Sequence, residues 1–462
     1  MKPLHAVQRF LFALAVFLVA GPLFAIDPVT LRNQLLALPN VTAVTQVTSP
    51  APPAGTYFYR ISFRQPVDHN NPLGPTFTQR VTLLHRDETK PMVLVTDGYS
   101  TSINPTQTEL TFYLQSNQVR VEHRFFLAST PNPVDWSKLD IWQSASDLHA
   151  ITQSLKGIYS AGWVSTGASK SGMTSTYYRY YFPDDVVATV PYVAPSSHGT
   201  SDARYVTFLN NVGPADCRLA IRNFQKAALQ QREAILPLIP DSDGYTVLGK
   251  DRALEFAVLE LPFAFWQYQD QSICPYVPSP TATPQELLDF IDAIVGVAFF
   301  ADPTLDFYKA YFYQSATQLG GPKYDERNIR ALLRYPGQDI PENYPPLGVT
   351  KTFDPNIMTK VEQWVRAKGK RFVFVYGAND PWSTGPFDVK PANDSYRYFV
   401  YGDLGNHGAN LTRLSQPERD FILAKLNTWL GVPMPLQNAA RAATAGKKPA
   451  FDEPTREELF LR

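Results

Sequence analysis

The sequence predicts an α/β fold built on a mainly parallel sheet, and three observations support this fold class. Short runs of β-branched and aromatic residues alternate with segments of helical character. Several of these runs are apolar throughout, which is typical of parallel strands that are buried on both faces. Of the 462 residues, 44% are hydrophobic and 13% are aromatic, so the chain can build a large core.

Residues 26–200 contain most of the predicted strands. Alternating or apolar runs predict strands at 57–64, 77–85, 93–96, 119–126, 163–167 and 186–193. Helices are predicted at 31–38, 144–154 and 173–181. We interpret this part of the chain as the first portion of the core.

Residues 201–350 show little strand character and have helical patches instead. Helices are predicted at 218–233, 253–268, 284–299, 302–312 and 325–333. Because strands are predicted on both sides, we interpret this segment as a helical cap inserted into the core. Its aromatic side chains can pack together or line a pocket, and we expect most of them to be core. They are Phe263, Phe265, Trp266, Tyr268, Phe299, Phe300, Tyr308, Tyr311, Phe312 and Tyr313.

The sheet is predicted to resume after the cap. Strands are expected at 371–377 and 396–401, followed by an amphipathic helix at 416–430. Residues 351–435 then complete the core, and residues 436–462 form a peripheral tail rich in alanine and charged residues.

The N-terminus has the pattern of a secretory signal peptide over residues 1–25. Lys2 and Arg9 precede an apolar run at 10–23, and Ala25 is a small residue at a suitable cleavage point. The run is short for a bilayer span, and an uncleaved membrane anchor is the alternative. We therefore expect an exported protein, secreted or periplasmic, without a membrane partner once the signal is removed.

Composition limits the remaining partners. The chain has 42 basic and 42 acidic residues, and this balance argues against binding to nucleic acid. In an exported protein, Cys217 and Cys274 predict a disulfide, with two buried free thiols as the alternative. No cluster of cysteine and histidine suggests a metal site, so no metal or other cofactor is expected, and no pattern specifies an oligomeric state.

Residues 163–173 carry the most informative motif, Gly167-x-Ser169-x-Ser171 between a strand and a helix. The nucleophile elbow of α/β-hydrolases has this layout, with small residues two before and two after the serine, because strand and helix pass close together there. The motif is imperfect, since Ser171 stands where glycine is usual. An ordinary β-turn–helix connection is the alternative.

Two later residues follow in the chain order that an α/β-hydrolase needs, namely Ser, then Asp or Glu, then His. Asp380 and His407 each follow a predicted strand, so both are expected at the edge of the sheet where Ser169 lies. Ser169 is the candidate nucleophile, His407 the base, and Asp380 the residue that orients the base. The competing residues are Asp403 as the acid and His123, His149 and His198 as bases.

A serine nucleophile also needs backbone donors for the oxyanion that forms during acyl transfer. The Lys170 amide, directly after Ser169, is one candidate. The loop after strand 93–96 offers the amides of Gly98 and Tyr99 as the second. The Lys170 side chain is expected to be a surface or packing feature rather than a base.

Several stretches together resemble the secreted tripeptidyl aminopeptidase family of serine peptidases, which is related to the prolyl carboxypeptidases. The resemblance covers most of residues 55–430, although the family's elbow normally has glycine at the position of Ser171. It implies an α/β-hydrolase core with a helical cap, and the release of short peptides, tripeptides among them, from substrate N-termini. The stretches are residues 65–69, 79–80, 121–126, 166–170, 172–173, 182–186, 265–268, 376–377 and 380–382.

An aminopeptidase of this kind must bind a free ammonium group, so we expect a carboxylate in its pocket. Glu122 is the candidate, and a salt bridge to Arg124 is the alternative role for it. A peptide is the expected substrate. Two other functions remain open at this point, a secreted esterase or lipase and an inactive exported binding protein.

Overall fold

The structure, a computed structural model, describes residues 26–433. The predicted signal peptide and the predicted tail at 436–462 lie outside the described residues. Nine strands form one sheet. They are β1 Val41–Val47, β2 Tyr57–Pro66, β3 Thr76–His85, β4 Met92–Thr96, β5 Asn117–Val121, β6 Trp163–Ala168, β7 Ala188–Tyr192, β8 Val373–Gly377 and β9 Tyr396–Val400.

The sheet is antiparallel at one end and parallel over the rest. Its strand order is β1-β2-β3-β5-β4-β6-β7-β8-β9. The pairs β1–β2, β2–β3 and β3–β5 are antiparallel, and every pair from β5–β4 to β8–β9 is parallel. The carboxyl ends of the parallel strands therefore point to one edge, and the loops after β4, β6, β8 and β9 meet there.

Helices cover both faces of the sheet. The α-helices are α1 Pro28–Leu36, α2 Glu109–Leu114, α3 Ile141–Leu155, α4 Lys170–Tyr181, α5 Arg204–Leu209, α6 Ala215–Gln230, α7 Arg232–Ile235, α8 Lys250–Tyr268, α9 Pro284–Ile294, α10 Asp302–Gln314, α11 Ile357–Lys368 and α12 Gln416–Leu430. Helices α1, α3, α4 and α11 share one apolar cluster with the sheet. Helices α2 and α12 pack on the opposite face. This layered arrangement is an α/β-hydrolase fold, as predicted.

The helices between β7 and β8 have a core of their own. Apolar residues from Val212 to Tyr344 form one cluster, centred on α6, α8, α9 and α10. A disulfide joins Cys217 on α6 to Cys274 in the 3₁₀ helix Gln271–Tyr276, as the cysteine count predicts. The division of the chain into core and cap at residues 201 and 350 stays a prediction.

The predicted elements and the observed ones differ at a few places. The strand predicted at 119–126 ends at Val121, and the helix predicted at 325–333 is wrong. There the Asp325 carboxylate accepts hydrogen bonds from the amide and the guanidinium of Arg327, and such local bonds favour a turn over a helix. The prediction missed β1, an edge strand with only two buried residues, and also α2, α5 and α11, while the helix predicted at 218–233 corresponds to α6 and the start of α7.

Within residues 26–433, no helix combines the length and the apolar character that crossing a bilayer requires.

Replacing both Cys217 and Cys274 by serine is expected to destabilise the helical layer more than the sheet. The disulfide closes a loop with a sequence separation of 57 residues. Loop closure of this size contributes roughly 4 kcal/mol in the chain-entropy model. Thermal unfolding of the double variant, compared with the wild type with and without reductant, should show a lower midpoint. An unchanged midpoint would contradict this role for the disulfide.

Candidate active site

Ser169 lies at a sharp turn between β6 and α4. Its backbone has φ 57° and ψ −124°, a conformation that costs free energy for any residue other than glycine. The turn is held from both sides, because the Ser169 amide donates to the Tyr192 carbonyl on β7 and the Ser169 carbonyl accepts from the Met173 amide. The strain and the position after a parallel strand are those of a nucleophile elbow.

The space inside this turn explains why small residues flank Ser169. A Cβ atom placed on Gly167 would come within 2.5 Å of the backbone of Ser171, so any side chain at 167 would collide with α4. Ser171 itself fits. Its hydroxyl accepts a hydrogen bond of 2.7 Å from the Gly98 amide, and its carbonyl accepts one of 3.0 Å from Thr96 Oγ1. The serine that departs from the motif therefore fastens α4 to the loop after β4.

Lys170 makes a second connection to the same loop. Its Nζ donates to the Gly98 carbonyl at 2.6 Å, and the ammonium group lies over the rings of Tyr99 and Phe126. The side chain is 1% exposed, and burial lowers the pKa of Lys170 well below its ordinary value. The expectation of a packing role fits this environment, whereas the expectation of a surface position does not.

Asp380 and His407 form a direct pair. Asp380 Oδ2 and His407 Nδ1 are 2.7 Å apart, and both side chains are almost completely buried. Burial raises the pKa of the Asp380 carboxyl, while the His407 ring and the Trp382 amide partly offset this effect. Because Nδ1 carries the hydrogen that Asp380 accepts, Nε2 of neutral His407 is left as a proton acceptor.

His407 contacts three residues that line the cavity containing Ser169. The His407 amide donates to the Gln267 carbonyl at 2.8 Å. The His407 ring also packs near the rings of Tyr268 and Trp382. These three neighbours line one cavity together with Ser169. No hydrogen bond joins Ser169 to His407 within the described residues, and such bonds are often long before substrate binds.

The competing residues have other partners. Asp403 is exposed and accepts from Gln271. His123 contacts the Arg124 carbonyl and the Tyr177 hydroxyl. The remaining two candidate bases pair with carboxylates elsewhere, His149 with Asp185 and His198 with Glu362.

The structure corrects one of the predicted oxyanion donors. The Gly98 amide already donates to Ser171 Oγ, so it points at α4 rather than into the cavity. The Tyr99 residue lines the cavity, and its amide remains a candidate. The Lys170 amide is at the first position of α4, where a helix leaves its amide hydrogens without intrahelical acceptors.

The structure also corrects the prediction for Glu122. Its side chain is 0% exposed and lies away from the cavity lining. Its carboxylate accepts hydrogen bonds from Arg80, from the Thr101 amide and from the Ser129 hydroxyl. The salt bridge to Arg124, which was the predicted alternative role, is not formed. Glu122 pairs with Arg80, whereas Arg124 pairs with Asp147. Glu122 is thus a structural carboxylate.

The cavity lies between the sheet edge and the helical layer, and aromatic rings form much of its wall. Six of the ten aromatic residues that the sequence singles out line the cavity, whereas the sequence analysis predicts that most of the ten serve only as core. The six are Phe263, Tyr268, Phe299, Tyr308, Tyr311 and Phe312. Tyr99 packs edge-on against Tyr308 and Tyr311, so the loop after β4 contacts α10.

Two acidic residues that the sequence reasoning missed also line the cavity, Glu260 on α8 and Asp339. Glu260 had a detectable signal, since it is an acidic residue within the apolar run 253–268. Asp339 lies between helical segments and had none. Burial raises the pKa of both carboxyls, and for Glu260 the nearby charge of Asp339 adds to the effect.

Comparison with known proteins gives consistent results. The sequence profile of the PS-10 peptidase S37 family matches residues 25–454. The prolyl tri/tetrapeptidyl aminopeptidase of Streptomyces mobaraensis is 41% identical over 422 residues, which are 89% of this chain and 88% of that protein.

Two solved structures are similar at a lower level. Proline iminopeptidase from Mycobacterium smegmatis has a TM-score of 0.38 and 14% identity, over 80% of this chain and 98% of that one. Epoxide hydrolase A from Mycobacterium thermoresistibile has a TM-score of 0.33 and 14% identity, over 81% of this chain and 100% of that one. Similarity at this level says nothing about the substrate. The family profile, by contrast, spans nearly the whole chain, and the chain therefore belongs to the PS-10 peptidase S37 family of serine peptidases.

Proposed function

We propose that this chain is an exported aminopeptidase that releases short peptides, above all tripeptides, from the N-termini of its substrates. One observation carries the proposal. The strained Ser169 lines the same cavity as the residues that flank the buried Asp380–His407 pair. The substrate class follows from the family, and the relative from Streptomyces mobaraensis is named as a tri/tetrapeptidyl aminopeptidase.

In the proposed acylation, His407 Nε2 takes the proton of Ser169 Oγ while the oxygen attacks the scissile carbonyl carbon. The oxyanion that forms accepts hydrogen bonds from the Lys170 and Tyr99 amides. Asp380 accepts the Nδ1 hydrogen and stabilises the imidazolium. His407 then gives its proton to the leaving amine, and the C–N bond breaks. The N-terminal short peptide remains bound to Ser169 as an ester.

Deacylation repeats these steps with water as the nucleophile. His407 removes a proton from water, the resulting oxygen attacks the ester carbonyl, and the same two amides hold the second oxyanion. Return of the proton from His407 to Ser169 Oγ releases the peptide with a free carboxylate. Burial of Asp380 keeps its carboxylate fixed against His407 throughout.

Export is supported by two features of the chain. Residues 1–25 have the pattern of a signal peptide, and Cys217 is joined to Cys274. Disulfides form and persist in oxidising compartments. We therefore place the enzyme in the periplasm or outside the cell.

Ser169→Ala is expected to lower kcat on the order of 10⁴-fold or more, because it removes the nucleophile. A fluorophosphonate should label the wild type at Ser169 and leave the variant unlabelled. Ser175→Ala, a buried serine on the same helix, is the matched control and should keep both activity and labelling. Retained peptidase activity in Ser169→Ala, together with no labelling of the wild type, would contradict the mechanism.

Digestion of a mixed peptide pool tests the substrate class. Mass spectrometry should find short fragments, tripeptides most abundant, released from unblocked N-termini only. An esterase would instead turn over an aminoacyl ester while leaving the unblocked peptides intact, and an inactive binding protein would do neither. Either of these results would contradict the proposed function.

Ser171→Ala is expected to lower kcat by roughly 10- to 100-fold with little change in KM, because a freed Gly98 loop holds the Tyr99 donor less well. Loss of the hydrogen bond should also lower the free energy of unfolding by about 1 kcal/mol. Ser175→Ala removes a comparable buried hydrogen bond to the Gly172 carbonyl and should lower stability without lowering kcat. Equal kcat values in the two variants would refute the role of Ser171 in holding the loop.

A further inference from the structure

The Asp339 carboxylate is buried in the cavity wall, and one of its oxygens accepts no hydrogen bond from an N–H or hydroxyl group of the described residues. The side chain is 7% exposed. Oδ1 accepts a hydrogen bond of 2.7 Å from the Tyr344 hydroxyl, whereas Oδ2 is buried and receives no hydrogen bond from an N–H or hydroxyl group of the described residues. A buried carboxylate oxygen without a donor is costly, and such a group calls for an explanation. A ligand that brings a donor into the cavity supplies one.

Glu260 lies beside this carboxylate, so the cavity wall contains an acidic pair. Tyr324 flanks the pair and also lines the cavity. Two neighbouring carboxyls in a poorly solvated wall cannot both ionise easily and tend to share one proton, so that the pair bears a single negative charge. Raised pKa values at both carboxyls agree with this sharing. One monovalent cation would balance that charge.

The described residues that line the cavity do not supply that cation. Among the residues that line the cavity, Lys170 is the one with a cationic side chain, and its Nζ is bound to the Gly98 carbonyl and stacked over aromatic rings. The remaining wall is largely aromatic and uncharged. A cationic group on a substrate therefore meets the acidic pair without competition from an arginine or lysine of the cavity.

The position of Glu260 along α8 gives an approximate distance to the reaction centre. Gln267, seven residues further along the helix, accepts the hydrogen bond from the His407 amide. Seven residues of α-helix span about 10 Å at 1.5 Å per residue. Three residues of extended peptide span about the same distance, at 3.3–3.6 Å per residue. A peptide held by its terminal ammonium at Glu260 would thus present its third carbonyl near His407.

We propose that Glu260 and Asp339 together bind the terminal ammonium group of the peptide substrate and thereby set the cut at about the third residue. This inference rests on the proposed function, because it takes Ser169 and His407 as the reaction centre. Asp339 Oδ2 accepts one hydrogen from the ammonium, and Glu260 accepts a second. The pair replaces Glu122 as the residues that select a free amino end.

The test compares two substrates that differ only in the terminal group. One is the best-cleaved tripeptide from the pool as its p-nitroanilide, and the other is the same compound with hydrogen in place of the ammonium. The wild type should prefer the first strongly. Glu260→Gln and Asp339→Asn keep the shape of each side chain, remove its charge, and should each lower that preference by roughly 10- to 100-fold, as expected for a lost charge-assisted hydrogen bond.

The ratio of kcat/KM for the two substrates is the deciding measurement, because it does not depend on the fraction of enzyme that is folded. Asp306→Asn, which neutralises a largely exposed carboxylate on α10, is the matched control and should keep the wild-type ratio. Fragment lengths from the peptide pool should also broaden in the Glu260→Gln/Asp339→Asn double variant. The preference for the free amine should fall further in the double variant than in either single one.

The outcomes separate this inference from the proposed function. If the wild type is labelled by fluorophosphonate and prefers the free amine, but the double variant keeps both the preference and the fragment length, the acidic pair is not the ammonium site. The proposed function survives that result. If the wild type is not labelled and cleaves neither substrate, the reaction centre itself is wrong and the acidic pair loses its role with it.

Discussion

The backbone at Ser169 is the constraint on which the rest of the site depends. Holding a serine at φ 57° and ψ −124° costs about 1–3 kcal/mol, and the surrounding structure must supply that free energy. It does so through close packing, since strand β6 and helix α4 approach until only glycine fits at 167. The hydrogen bond from the Ser169 amide to Tyr192 ties the turn to the neighbouring strand.

Helix α4 also holds the loop after β4 in place. Gly98 is held from both sides, by Ser171 at its amide and by Lys170 at its carbonyl. Both partners belong to the first turn of α4, so the helix that follows the nucleophile also fixes the loop that carries Tyr99. Ser171, the residue that departs from the usual elbow motif, therefore helps to hold the loop that contains the proposed Tyr99 donor. A glycine at 171 would leave the Gly98 amide without this acceptor.

Helix α8 connects the reaction centre to the rest of the cavity. Its C-terminal end receives the His407 amide at Gln267, and Glu260 lies two turns earlier on the same helix. The two residues belong to one helix, with Pro262 between them, so a displacement of α8 moves both ends of the cavity. The distance between Glu260 and the Gln267 carbonyl that accepts from the His407 amide is thus set within one helix.

The sequence predicted the elements that follow a regular pattern and missed what depends on packing. The sheet strands near the site, the triad candidates and helix α12 could be read from apolar runs and chain order, because strand ends in a parallel sheet meet at one edge. The partners of buried carboxylates could not. Glu122 and Glu260 are both acidic residues in apolar surroundings, and only the tertiary structure shows that the first has four donors and the second faces the cavity.

The contrast between these two glutamates also bears on why the acidic pair exists. Where a buried carboxylate serves the fold, as at Glu122 or at Glu255 beside Arg232, the structure surrounds it with donors. At Asp339, by contrast, Oδ2 receives no hydrogen bond from an N–H or hydroxyl group within residues 26–433, and its neighbour is a second carboxyl. An unsatisfied buried carboxylate lowers stability by about 1–3 kcal/mol. Apolar residues at 260 and 339 would remove that cost, and the substrate ammonium that we propose to bind there would offset it.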